Sequence, residues 1–165
     1  MRRRPPAIAL LLGAAGLLPF LVCGILAMGP DPGRAGPALD ALLAYAAVIL
    51  AFLGGVHWGF ALARLSGPDE LLALGQPQGA RYVLGVVPSL IGWAALLLPQ
   101  ILPSWTALLL LIAGFTGTVV IEAGATRRGM VPRGYMRLRW ALSIVVIAML
   151  VTVATTRILG LSISV

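Results

Sequence analysis

The chain has 165 residues, 60% of them hydrophobic and only 10% charged, with a mean hydropathy of +1.02. Soluble domains carry roughly 25% charged residues, so a soluble core is excluded. At roughly 20 apolar residues per crossing the length holds roughly four to six spans in a single domain, 1–165, with no room for a separate soluble part. The net charge of +7 arises from twelve arginines and no lysine. These arginines flank apolar runs, so they read as topological signals and not as a phosphate-binding footprint, and no nucleic-acid partner is expected.

The first apolar run, 7–28, follows Arg2-Arg3-Arg4. It exceeds the roughly 7–15 residues of a cleavable signal core and lacks an Ala-x-Ala site, which predicts an uncleaved first helix. The lone Cys23 lies inside this run, excludes an intrachain disulfide and reads as a small apolar side chain. Gly29-Pro30-Asp31-Pro32-Gly33 then supplies a turn. A second helix is predicted over 39–64, followed by a polar loop containing Gly67-Pro68-Asp69-Glu70 and Gln76-Pro77. The third run, 82–98, contains Pro88, and the fourth, 105–123, follows so closely that the two form an antiparallel hairpin. A basic loop from Glu122 to Arg139 leads into the fifth run, 138–158, while Tyr82, Trp105 and Trp140 stand at run ends, where aromatic rings favour the headgroup level. The fold expected is all-α, a polytopic bundle of about five transmembrane helices.

Its orientation follows from the arginines. With the N-terminus cytoplasmic, Arg2, Arg3, Arg4, Arg64, Arg81, Arg127, Arg128, Arg133, Arg137 and Arg139 share the inner side, and only Arg34 and Arg157 lie opposite. Ten against two obeys the positive-inside rule and places the C-terminus on the opposite side. The localisation expected is a bacterial inner membrane, multi-pass.

Five residues of the second helix, Ala47, Ala51, Gly55, Gly59 and Ala63, recur every four positions and form a small-residue stripe. In lipid, association depends on close backbone approach, so the stripe predicts a packing face for a neighbouring helix of this chain or for a homodimer. His57 precedes Arg64 by seven residues, about 10 Å inside the cytoplasmic boundary at 1.5 Å per residue. Pro88 and Glu122 fall at a similar depth, measured from Arg81 and Arg127. Pro88 cannot donate to the preceding turn, and the carbonyl it releases has Ser89, His57, Trp58 or water as acceptable donors. A carboxylate at the depth of Glu122 needs a proton, a partner or water, and His57, Arg137 and Arg139 are the partners on offer. This polar cluster reads as an interhelical hydrogen-bond clasp or as a pocket for a lipid headgroup, quinone or proton. A lone His offers one axial haem position without a second ligand, and no phosphate loop, nucleophile elbow or paired-carboxylate motif is present, so catalytic residues, metal sites and cofactors are not expected.

The run Phe52-Leu53-Gly54-Gly55-Val56-His57-Trp58-Gly59, then Val87-Pro88-Ser89, then Tyr135-Met136-Arg137-Leu138-Arg139, resembles a family of small integral membrane proteins with a domain of unknown function, the DUF3429 type. That family occurs in proteobacteria and has a mitochondrial transmembrane relative. The resemblance extends from about Pro19 to Val151, with Glu122 where the family pattern often has aspartate and Ser143 where it has threonine. It implies a membrane fold without an established activity, and it points to His57, Trp58, Tyr135, Arg137 and Arg139. Three functions compete on this reading: a non-enzymatic accessory or assembly bundle that binds another membrane protein, a lipid- or quinone-headgroup binder at the cytoplasmic end, and a small proton-coupled transporter. Membrane lipids are expected partners in each case.

Overall fold

The computed structural model describes residues 7–65, 79–127 and 133–161. Arg2, Arg3, Arg4, Arg128 and most of the loop expected after the second run lie outside these residues. Among the described residues every regular element is helical. The helices are α1 (Ala7–Ala15), α2 (Leu18–Ala27), α3 (Pro32–Leu65), α4 (Gly79–Leu97), α5 (Ser104–Arg127) and α6 (Arg133–Leu159), with a 3-10 turn, Leu98–Gln100, after α4.

Among the described residues four stretches are long and apolar enough to cross a membrane: Leu10–Ala27, Pro32–Val56, Ser104–Gly124 and Leu138–Leu159. A shorter apolar helical stretch, Gly85–Gln100, lies between the second and third of these. The whole of α4 has 19 residues, about 28 Å of helix at 1.5 Å per residue, close to the roughly 30 Å of a hydrocarbon core. Successive segments alternate in direction. Gly92 meets Ala47 while Gly54 meets Gly85, so α3 and α4 run antiparallel; Gly13 faces Leu142 while Gly24 faces Met149, so the first segment and α6 run parallel.

The first span is not one helix. Pro19 lacks the N–H that would close a turn onto Ala15, and its ring crowds that carbonyl, so the chain turns at Gly16-Leu17 and α2 restarts with Pro19 in its first turn. The Tyr45 hydroxyl of α3 donates to the Gly16 carbonyl in this break at 2.9 Å. The second span begins earlier than its apolar run. Asp31 accepts from the Gly33 N–H at 2.9 Å and Pro32 supplies a pre-set first residue, so the helix is capped and under way before Leu39.

The core is built on α3, which packs against α2, α4 and α5, while α6 closes the bundle against α5 and the first span. Leu42, Leu50, Leu108, Leu111, Leu150 and Val153 are fully buried. Phe20 joins three helices, meeting Tyr45 edge-on at 5.0 Å and Phe115 at 6.2 Å between ring centroids. Such pairs add about 0.5–1.5 kcal/mol beyond the area they bury.

Candidate functional site

The backbones of α3 and α4 approach closely. A Cβ on Gly54 would land on the Gly85 carbonyl oxygen, and one on Gly92 would lie 2.9 Å from the Ala47 oxygen. Glycine at both places lets the two helices touch. Above this contact the Trp58 ring covers Gly85. Its indole N–H donates to the Tyr82 carbonyl at 3.0 Å, and the rings of Trp58 and Tyr82 meet edge-on at 5.4 Å. Trp58 therefore fastens the first turns of α4 and, within the bonds described, does not serve the carbonyl that Pro88 releases, since Pro88 breaks the bond to residue 84. Ser89 is half-buried and joins none of these bonds.

The small-residue stripe divides. Ala47 is buried against Gly92, whereas Gly55 and Gly59 are exposed, with nothing among the described residues within 4 Å of an added Cβ. Of the two roles expected for the stripe, packing against a neighbouring helix of this chain is seen at Ala47 and not, among the described residues, at Gly55 and Gly59. Four residues turn an α-helix by about 400°, so a four-residue repeat drifts about 40° per step and leaves the interface. The intrachain seam follows Ala47, Leu50 and Gly54 instead, while Ala51 is half-buried between the two regions. The side chain of Ala63 lies outside the described residues.

The polar cluster takes shape between α5 and α6. Glu122, 2% exposed, accepts from Arg139 Nε at 2.7 Å, and Arg139 is itself 7% exposed. Arg139 Nη2 also donates to Thr118 Oγ1 at 3.4 Å, while Thr118 donates to the Phe115 carbonyl at 2.8 Å. Arg139, one of the three partners on offer to Glu122, pairs with it. Residue 57 lies in α3 one turn after Gly54, and residues 135 and 137 lie in the first turns of α6; the side chains of His57, Tyr135 and Arg137 lie outside the described residues. Ser143, one turn beyond Arg139, is 2% exposed, and its hydroxyl has no partner among the described residues. Pro88 and Ile121 line one groove between α4 and α5, which brings Gly54, Pro88 and Glu122 to neighbouring levels of three helices. Among the described residues no three His, Cys, Asp or Glu side chains gather as metal ligands.

The opposite end of the bundle holds a polar contact that hydropathy did not flag. Arg157 Nη2 donates to the Ala27 carbonyl at 2.8 Å and to the Ala35 carbonyl at 3.1 Å, tying α6 to both sides of the turn between α2 and α3. Arg34 pairs with Asp31 at 3.5 Å. Both arginines that stand against the positive-inside count are thus engaged locally. The signal that could have found Arg157 is its place in the last turn of an apolar helix, where a cation has carbonyls to seek.

Comparison with known proteins adds one family. The family model described as protein of unknown function, DUF3429, matches residues 5–155. The chain belongs to the DUF3429 family. A curated protein of Xenopus tropicalis, Transmembrane protein 69, is 40% identical over 92 residues, which cover 56% of this DUF3429 chain and 33% of the relative. This chain therefore spans about a third of that protein's length. No solved structure matches the chain. Together with its apolar helices, these findings make this DUF3429 member a multi-pass membrane protein.

Proposed function

We propose that the protein is a non-enzymatic accessory bundle of a bacterial inner membrane that binds another membrane protein laterally through α3. The observation that carries this reading is the open face at Gly55 and Gly59, where an added Cβ would meet nothing within 4 Å among the described residues. Exposed Val48 and Phe52 flank the two glycines on the same side of the helix, giving a flat notch beside bulky apolar side chains. In lipid such a notch favours another helix, because small residues allow backbones to approach and gain dispersion contact. The polar cluster supports the same reading, since Arg139 spends its described hydrogen bonds on Glu122 and Thr118 and so holds helices together.

Affinity purification in mild detergent, followed by native mass spectrometry, tests the proposal. One defined membrane partner is expected with the wild-type chain and is lost with Gly55→Ile and Gly59→Ile, while thermal stability stays unchanged. Repeated recovery of a lone monomer, or an unchanged partner in both variants, overturns it. A homodimer is the other outcome the notch allows, and it contradicts the accessory reading.

A further inference from the structure

Among the described acids Asp31 pairs with Arg34 and Glu122 with Arg139, whereas Asp40 has no hydrogen bond or ion pair among the described residues. Asp40 is exposed and stands eight residues after Pro32 in the apolar Pro32–Val56 stretch of α3, about 12 Å along the helix. We infer that Asp40 receives a basic side chain from the helix that docks on α3, a reading that rests on the lateral docking proposed above and names the chemistry of the partner. That partner is a transmembrane segment carrying one arginine or lysine at the level of Asp40.

Helix geometry puts Asp40 on the docking face. Ala41, Ala44, Val48 and Gly55 are exposed and Ala51 is half-buried, so alternating steps of three and four residues lay one seam along the outer side of α3. Such steps suit a second helix crossing at about 20°, which stays in contact over several turns. From Ala41 to Gly55 the seam is about 21 Å long at 1.5 Å per residue. Asp40 precedes the first seam residue and so flanks the contact, the position from which charged side chains reach a facing helix and set partner choice. An acid within an apolar stretch is costly beside lipid, and a cation from a neighbouring helix offsets that cost.

A second copy of this chain does not supply that cation. Inserted in the same orientation, it brings another Asp40 to the same level. Its Arg34 stands six residues earlier, about 9 Å along the helix, and is paired with Asp31. Its Arg157 is bound to the Ala27 and Ala35 carbonyls. The occupant of matching charge is therefore a different chain.

The test uses the full chain reconstituted in dioleoylphosphatidylcholine vesicles with synthetic transmembrane peptides of about 25 alanines and leucines, which carry arginine, glutamate or leucine at one position about eight residues from an end. Association is read by fluorescence energy transfer. The arginine peptide is expected to bind the wild type about tenfold tighter than the leucine peptide. Asp40→Asn is expected to remove that preference and Asp40→Lys to transfer it to the glutamate peptide, both at unchanged melting temperature, because Asp40 has no described bond to lose. Equal binding of the arginine and leucine peptides, or a preference that survives Asp40→Asn, overturns the charge pairing and leaves the docking face standing. Association of no peptide overturns the charge pairing as well, and the co-purification described above then decides the docking face. Self-association of the wild-type chain that Gly55→Ile abolishes overturns both.

Discussion

Glu122→Leu is the sharpest test of the clasp between α5 and α6. The substitution leaves the Arg139 guanidinium, 7% exposed, with its 3.4 Å contact to Thr118 as the remaining described bond. Arginine does not lose its proton in proteins, so the charge stays. Removing one partner of a buried ion pair costs about 3–5 kcal/mol, so a loss of about 3 kcal/mol is expected. At roughly 2–4 °C per kcal/mol for a chain of this size, the melting temperature is expected to fall by roughly 6–12 °C. The double variant Glu122→Leu with Arg139→Leu removes both charges and leaves apolar side chains facing each other, so it is expected to recover most of the loss. Sodium dodecyl sulfate titration in mixed micelles, read by circular dichroism for the wild type, both single variants and the double variant, gives the coupling energy directly. A single-variant loss below about 1 kcal/mol, the level of an exposed pair, would refute the buried-clasp reasoning.

Other substitutions probe the remaining contacts. Arg157→Leu removes both bonds to the Ala27 and Ala35 carbonyls and is expected to cost about 2–3 kcal/mol by the same titration, with Arg157→Lys recovering only part. Gly54→Val drives a side chain into the Gly85 carbonyl and is expected to cost about 3 kcal/mol or more, whereas Gly55→Ala next to it is expected to stabilise the isolated chain by about 0.5–1 kcal/mol. Equal effects at these two neighbours would contradict the seam drawn between α3 and α4. Trp58→Phe removes the donor to the Tyr82 carbonyl while keeping an aromatic ring over Gly85, and faster amide exchange in the first turns of α4, without global unfolding, is the expected readout.

Much of the bundle was legible in the sequence because long apolar runs and flanking arginines are strong signals in a medium that forces backbone groups to pair within each segment. The short link holding Pro99 and Pro103 already implied the α4–α5 hairpin. Other features depend on geometry that hydropathy does not encode. Pro19 counts as an ordinary member of an apolar run, yet its missing N–H divides the first span at Gly16-Leu17. Asp31 and Pro32 looked like turn residues, and they also start α3. The four-residue stripe was visible, but its 40° drift per step decides that Ala47 packs while Gly55 and Gly59 do not. For Glu122, depth identified the need for a partner and the sequence offered three. Choosing Arg139 required the register of α5 against α6, which no local pattern sets. The Arg157 contacts join residues more than a hundred positions apart and were invisible for the same reason.

The central claim is that five segments cross the membrane with the arginine-rich ends inside, so that the two termini lie on opposite sides. The short α4 makes this a sharp question, because without its crossing the remaining four spans would return both termini to one side. Replacing Cys23 by serine and placing single cysteines at Ala7 and Ser162 permits labelling of intact cells and of inverted vesicles with a membrane-impermeant maleimide. The account predicts that the Ser162 position labels in intact cells and the Ala7 position only in inverted vesicles. Labelling of both positions from the same side would contradict it.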